Sequence, residues 1–124
     1  MKYRQLLHVE SGQTLLSSVR WCDTFTSKLR GFTFRRTLAE DEGLVLVEKG
    51  ESRMNTAIHM LFVFFDLGVV WVNEAGVVVD RITAKRWRSS YVPKFPARYV
   101  IEVHPNMLSQ IELGDHIQFP ECET

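Results

Sequence analysis

The stretch Ala57–Asn73, AIHMLFVFFDLGVVWVN, decides how this chain folds. It is nearly long enough to cross a bilayer as a helix, which takes about 20 predominantly apolar residues. His59 and Asp66 interrupt the run, however, and Gly68 breaks it again. Much of the rest is β-branched or aromatic: Val63, Val69, Val70 and Val72 with Phe62, Phe64, Phe65 and Trp71. Such side chains suit a pleated surface rather than a helix. Two buried strands, Ile58–Phe65 and Val69–Val72, bent at DLG, fit better than one helix. The stretch is expected to form the central sheet of a soluble domain that is not membrane-inserted.

The flanking sequence supports this. NEAG, Asn73–Gly76, has turn residues at both ends, so Val69–Val72 and Val77–Ile82 are expected to pair as a hairpin. Ala84–Pro96 contains Pro93 and Pro96, shows no period and reads as a long loop. RYVIEV (98–103) alternates and reads as a strand. Pro105 suits the first turn of a helix over Asn106–Ile111, and Gly114–Asp115 turns into a last strand, HIQF (116–119). Upstream, RQLLHV (4–9), LLSSVRWC (15–22) and GLVLVE (43–48) read as strands. A short helix is expected near Thr24–Arg30, with Asp23 capping its first amides and Gly31 ending it. Many short strands with one or two short helices predict a mainly β chain, a small single-domain barrel or sandwich over residues 1–124. Its expected core comprises Leu44, Leu46, Phe62, Phe64, Val70, Val72, Val78, Val100 and Val103.

Fifteen basic and fifteen acidic residues leave no net charge, so no overall field draws the chain to nucleic acid. The charges are nevertheless segregated. Arg81–Arg98 holds Arg81, Lys85, Arg86, Arg88, Lys94 and Arg98 and no acid, whereas Glu40–Glu51 is mostly acidic. The apolar run in MKYRQLLHVE is too short for a secretory leader, which predicts a cytoplasmic protein; a monomer is the expected state. Cys22 and Cys122 form no disulfide framework, and Cys22 reads as a small core residue.

The four histidines, His8, His59, His104 and His116, lack metal-ligand spacing, so no metal and no cofactor is expected. His59 reads either as a core histidine bonded to a backbone carbonyl or as the wall of a pocket. No nucleophile elbow and no activated cysteine is present, so no catalytic residue is assigned. An enzyme of hydrolase type would have to use His59 as base with Asp66 or Glu102 orienting it; Glu102 itself could face solvent. The segment AKRWRSSYVPKFPARY interleaves Lys85, Arg86, Arg88, Lys94 and Arg98 with Trp87, Tyr91, Phe95 and Tyr99. A guanidinium beside an indole is suited to a planar anion. Arg30, Arg35, His59, Trp87 and Arg88 are therefore the expected ligand-binding residues. Trp87 and Arg88 should line the mouth of the main cavity, with Arg30 or Arg35 brought near. The expected partner is a small anionic or polar ligand, or a peptide of another protein.

In order along the chain, LRGFTFRRTL, EDEGLVLV, the central hairpin IHMLFVFFDLGVVWVNEAGVVVD, KRWRSSYVPKFPARYVIEV and ELGDHIQF resemble segments of the domain of unknown function 192 family over about residues 14–119. Arg30, Gly31 and Arg35 fall on that family's Arg-Gly-Leu-Met-x-Arg signature. His59 stands where the common form has Trp, and Leu61, Phe62 and Val63 replace a polar trio, as in an "IHM" variant. The resemblance implies a small mainly β barrel or sandwich and no particular activity.

Overall fold

The computed structural model describes residues 2–122. Seven strands form one sheet: β1 (Lys2–His8), β2 (Gln13–Cys22), β3 (Gly43–Ser52), β4 (Leu67–Val72), β5 (Val78–Ala84), β6 (Ala97–Val103) and β7 (Ile117–Gln118). Their order across the sheet is β5-β4-β6-β3-β2-β1-β7. β2 and β3 pair in parallel, Arg20 opposite Leu44, and the other pairs are antiparallel. A parallel pair requires a crossover rather than a tight turn; here it contains helix α1 (Phe25–Arg30). Thr24, not Asp23, caps α1: its hydroxyl accepts from Ser27 N–H while the Ser27 hydroxyl pairs back. Asp23 is taken by Lys2 at 3.0 Å. A 3₁₀ helix spans Pro105–Gln110. The β4–β5 hairpin forms as the sequence suggests, with Val77 N–H donating to the Asn73 side chain and Gly76 at φ 87°. Both cysteines are free. Among the described residues no helix is long and apolar enough to cross a membrane.

The sheet curls until its ends meet. β7 pairs with β1, His8 opposite Ile117, while the preceding His116 bridges Val77 at the start of β5. Val78 N–H donates to Asp115 O and Ile117 N–H to Gly76 O, both at 2.8 Å. One short segment thus holds both edges, giving a partly closed barrel.

Side chains clasp this seam. His8 Nε2 lies 2.6 Å from Asp115 Oδ2, and His116 Nδ1 lies 2.6 Å from Glu10 Oε2. The His116 N–H, then its ring, holds the Glu10 carboxyl down at about 2; the Glu112 N–H, then His8, lowers Asp115. Both carboxyls are lowered on folding, so the clasp stabilises the fold above ordinary carboxylate values and is lost as pH falls through the folded ones. Asp115→Asn is expected to lower the melting temperature at neutral pH and flatten its decline on acidification. Melting curves matching the parent's at every pH would show that the clasp contributes nothing.

The sheet is buried on both faces. Leu6, Val19, Val45, Val70, Ile101 and Ile117 pack inside the curl. Cys22, Leu44, Val69, Trp71 and Val100 lie on the outer face beneath Phe32, Ile58, Met60 and Val63. Every residue of β4 is buried, which accounts for its unbroken apolar run.

The expected strand Ile58–Phe65 is not one. It is an irregular cover laid over the outer face, with a turn at Leu61–Phe62 and Phe62 at φ 61°. Ile58 exchanges backbone hydrogen bonds with Tyr91 at 2.9 and 2.8 Å, and Trp71 Nε1 donates to Thr56 O at 2.7 Å. A cover must be as apolar on its sheet-facing side as a strand, so the composition misled. Consequently Phe62 is exposed and Phe64 half-buried. Leu46 is half-buried too, while the other six expected core residues are buried.

Candidate functional site

Alternation along β6 puts Val100 and Glu102 on the outer face, with Glu102 opposite Leu44 of β3 and Val69 of β4. The cover and α1 do not fill the space above them. A cavity of about 290 Å³ remains. Leu46, Ile58, Val63, Leu67, Val100 and Phe32 wall it, and exposed Phe25, Leu29 and His59 stand at its mouth.

Glu102 lines this cavity while only 7% exposed. Among the described residues nothing donates a hydrogen bond to its carboxyl. Burial pushes that carboxyl up to about 7, against the pull of the Arg20 guanidinium. Arg20 acts on it through charge alone, without a hydrogen bond: its Nη2 donates to Gly31 O at 2.8 Å, and its guanidinium lies 5.6 Å from the Phe32 ring centre. Lys28 at the mouth is paired with Glu48 at 2.8 Å. The group left without a hydrogen-bonded partner inside is therefore an acid.

Of the five residues expected to bind ligand, only His59 lines this cavity. It is exposed, so it is not a core histidine. Among the described residues no hydrogen bond joins it to Asp66 or Glu102. Asp66 is engaged by Arg86, through its N–H at 3.0 Å and Nε at 3.2 Å, and by Lys85 at 3.7 Å. Those contacts, the Arg86 N–H foremost, hold its carboxyl below the usual range. Arg30 and Arg35 border a separate hollow with Arg20, and Arg35 Nη2 reaches both Glu42 oxygens at 3.0 and 2.8 Å.

Trp87 and Arg88 are not at the mouth of the cavity. Their backbone sews the cover down, Trp87 N–H donating to Met60 O and Met60 N–H to Arg88 O, each at 3.0 Å. The Trp87 ring, 46% exposed, packs on Phe62 and Phe64 at 5.2 and 5.4 Å between centres. Phe34, Phe62 and Trp87 have φ of 66°, 61° and 65°, and Phe34 stacks on Phe62 at 5.1 Å. Each such backbone conformation costs about 1–3 kcal/mol and persists only where the surroundings impose it.

Arg20 and the burial of Glu102 escaped the sequence reading, which placed Lys28 only in a basic group around the helix end. So did the grouping of His8, Glu10 and Asp115, whose donor atoms lie within 4.8 Å of one another and could hold a metal ion. His8 and Asp115 are 107 positions apart, so no local spacing reveals them.

The DUF192 family model, described as Uncharacterized ACR, matches residues 7–119. The chain is 33% identical over 120 residues to a UPF0127 protein of Thermococcus kodakarensis, covering 95% of this chain and 74% of the relative. It is 32% identical over 116 residues to a UPF0127 protein of Pyrococcus furiosus, covering 92% and 97%. Its fold is similar to that of a Sinorhizobium meliloti protein proposed to be a transcription regulator, with TM-score 0.81, 19% identity and 96% and 94% of the two chains covered. A Novosphingobium aromaticivorans protein of unknown function matches at TM-score 0.73 and 15% identity over 94% and 83%.

Proposed function

Because the chain belongs to the uncharacterized DUF192 family, we propose a function from its geometry alone: it is a binding module for a small ligand with an apolar body and one polar end. One observation carries this reading. Glu102, only 7% exposed, lines a largely apolar cavity without a hydrogen-bond partner among the described residues. No fully buried side-chain nitrogen or oxygen among the described residues lacks a partner, so the Glu102 oxygens open onto the cavity, where whatever displaces water has to supply donors. A ligand that completes the pairing supplies one.

The expected anion at Trp87–Arg88 has less support. The cavity's group without a hydrogen-bonded partner is a carboxyl, and Arg35 is already bound to Glu42. The enzyme reading keeps only Glu102, since a carboxyl titrating near neutrality in a cleft suits general acid–base work. His59 does not assist it by hydrogen bonding, and no nucleophile among the described residues is paired with it.

Benzyl alcohol, a ring with one polar end, tests the cavity. It is expected to shift backbone amide resonances around Leu46, Ile58 and Val100–Glu102 in a saturable way. Ala57→Trp, which places an indole in the cavity wall, should abolish those shifts while leaving the melting temperature near the parent's. Shifts confined to Phe34, Phe62 and Trp87 would overturn the assignment.

A further inference from the structure

We propose that the ligand's polar end is an amine, seated as an ammonium group against the Glu102 carboxylate. The inference rests on the cavity being a binding site, and adds the chemical class of what enters it.

The ionised carboxylate only accepts hydrogen bonds. No described residue donates one to it, so the donor must come with the ligand. A hydroxyl could donate, but would leave the charge balanced only by the Arg20 guanidinium, which makes no hydrogen bond to it, in a setting where Coulomb interactions are strong. An ammonium supplies the donor and the countercharge together, as a charge-assisted bond.

The charged groups already present do not serve. Arg20 and Cys22 of β2 are the titratable groups that act on Glu102 from that strand. Arg20 is tied to Gly31 O, and the Cys22 thiol is pushed up by burial. From α1, Lys28 is bound to Glu48 of β3. From the cover, His59 stands at the mouth without a hydrogen bond to Glu102. β4 contributes only apolar Leu67 and Val69. The walls are mainly apolar, with Thr33, Asn55 and Thr56 among them, and enclose about 290 Å³, so they favour an amine on a compact body. Exposed Phe25 and Leu29, four positions apart on α1, extend the apolar lining to the rim.

An ammonium requires Glu102 to be ionised. In the free protein this carboxyl is largely protonated below about 7. Binding in that range must expel its proton to solvent, and the affinity must rise with pH until Glu102 ionises unaided. A hydrogen-bond acceptor ligand would show the opposite trend, since it needs the protonated acid as donor.

The test compares benzylamine with benzyl alcohol on the intact protein. Amide shifts give the affinities, and calorimetry in two buffers of different ionisation enthalpy gives the protons exchanged. Benzylamine affinity is expected to rise at least tenfold between roughly pH 5.5 and roughly pH 8, where the amine itself stays charged. Protons should be released at the lower pH. Benzyl alcohol should show no such rise. Glu102→Gln, of the same shape without the charge, should lose benzylamine at least tenfold and keep benzyl alcohol. Benzylamine binding no tighter than the alcohol, or weakening as pH rises, would overturn the amine assignment, as would a folded Glu102→Gln that retains full amine affinity. Should the variant not fold, the wild-type pH series and the proton count decide alone. If neither probe reaches the cavity residues of the parent, the binding-module reading itself falls. If only the alcohol does, that reading stands and the amine does not.

Discussion

Glu102→Gln is expected to make the protein more stable at pH 8 by about 2–3 kcal/mol, and to change little near pH 4.5. The Glu102 carboxyl rises from 4.5 to about 7 on folding, mainly because burial disfavours its charge. Between those values the folded protein binds a proton that the unfolded chain does not. Stability from this group is therefore complete below the unfolded value, declines as pH rises, and is gone above the folded one. A difference of that size is worth about 3 kcal/mol. The amide of Gln needs partners too, which trims the gain. Urea unfolding of parent and variant at both pH values measures it. A variant no more stable than its parent at pH 8 would mean that Glu102 is compensated in solution. The sign opposes that of the Glu10 and Asp115 clasp, which weakens on acidification. Replacing the Glu102 carboxyl should therefore move the pH of maximum stability upward.

Val70→Asp should destabilise by about 3–5 kcal/mol, enough to unfold much of the population of a marginally stable domain. Val70 is fully buried in β4, between Ile101 of β6 and Arg81 of β5, and faces the inside of the curl. An aspartate there would lie among hydrocarbon side chains of the inner cluster. The nearest cation, Arg81 opposite it in the register, is already held by Leu108 O at 2.9 Å and Glu112 at 3.4 Å. Val70→Ala separates loss of packing from the buried charge, and should cost about 2 kcal/mol. Unchanged denaturant midpoints for Val70→Asp would show that β4 presents this residue to solvent.

What could be read from the sequence follows from which forces are local. The β4–β5 hairpin was legible because Asn73 and Gly76 carry their own turn chemistry. The two short helices were legible because caps and proline act within a turn. The cover was not, since Ile58, Met60 and Val63 are buried by a sheet far off in sequence, and β-branched composition reads alike in strand and cover. Glu102 was half legible. Val100 and Val103 were both expected in the core, yet they face opposite sides of β6, so the strand must be buried on both faces and Glu102 with it. A single acid in an alternating run suggested solvent, because an unpaired buried carboxyl is rare. Trp87 and Arg88 attracted attention by composition, but a basic–aromatic loop that sews down a cover looks the same along the chain as one that rims a cavity.

The seam made by β7 has a consequence for synthesis. β7 follows every other strand in the chain, and its partner β1 precedes them all. As the protein emerges from the ribosome the sheet stays open, with β1 and the start of β5 presenting unpaired backbone until residues near Asp115–Gln118 arrive. Pairings between strands this distant are slow to form, and open strand edges invite association with other chains. The nascent chain thus passes through an interval of open edges whose length is set by how fast the last strand is made.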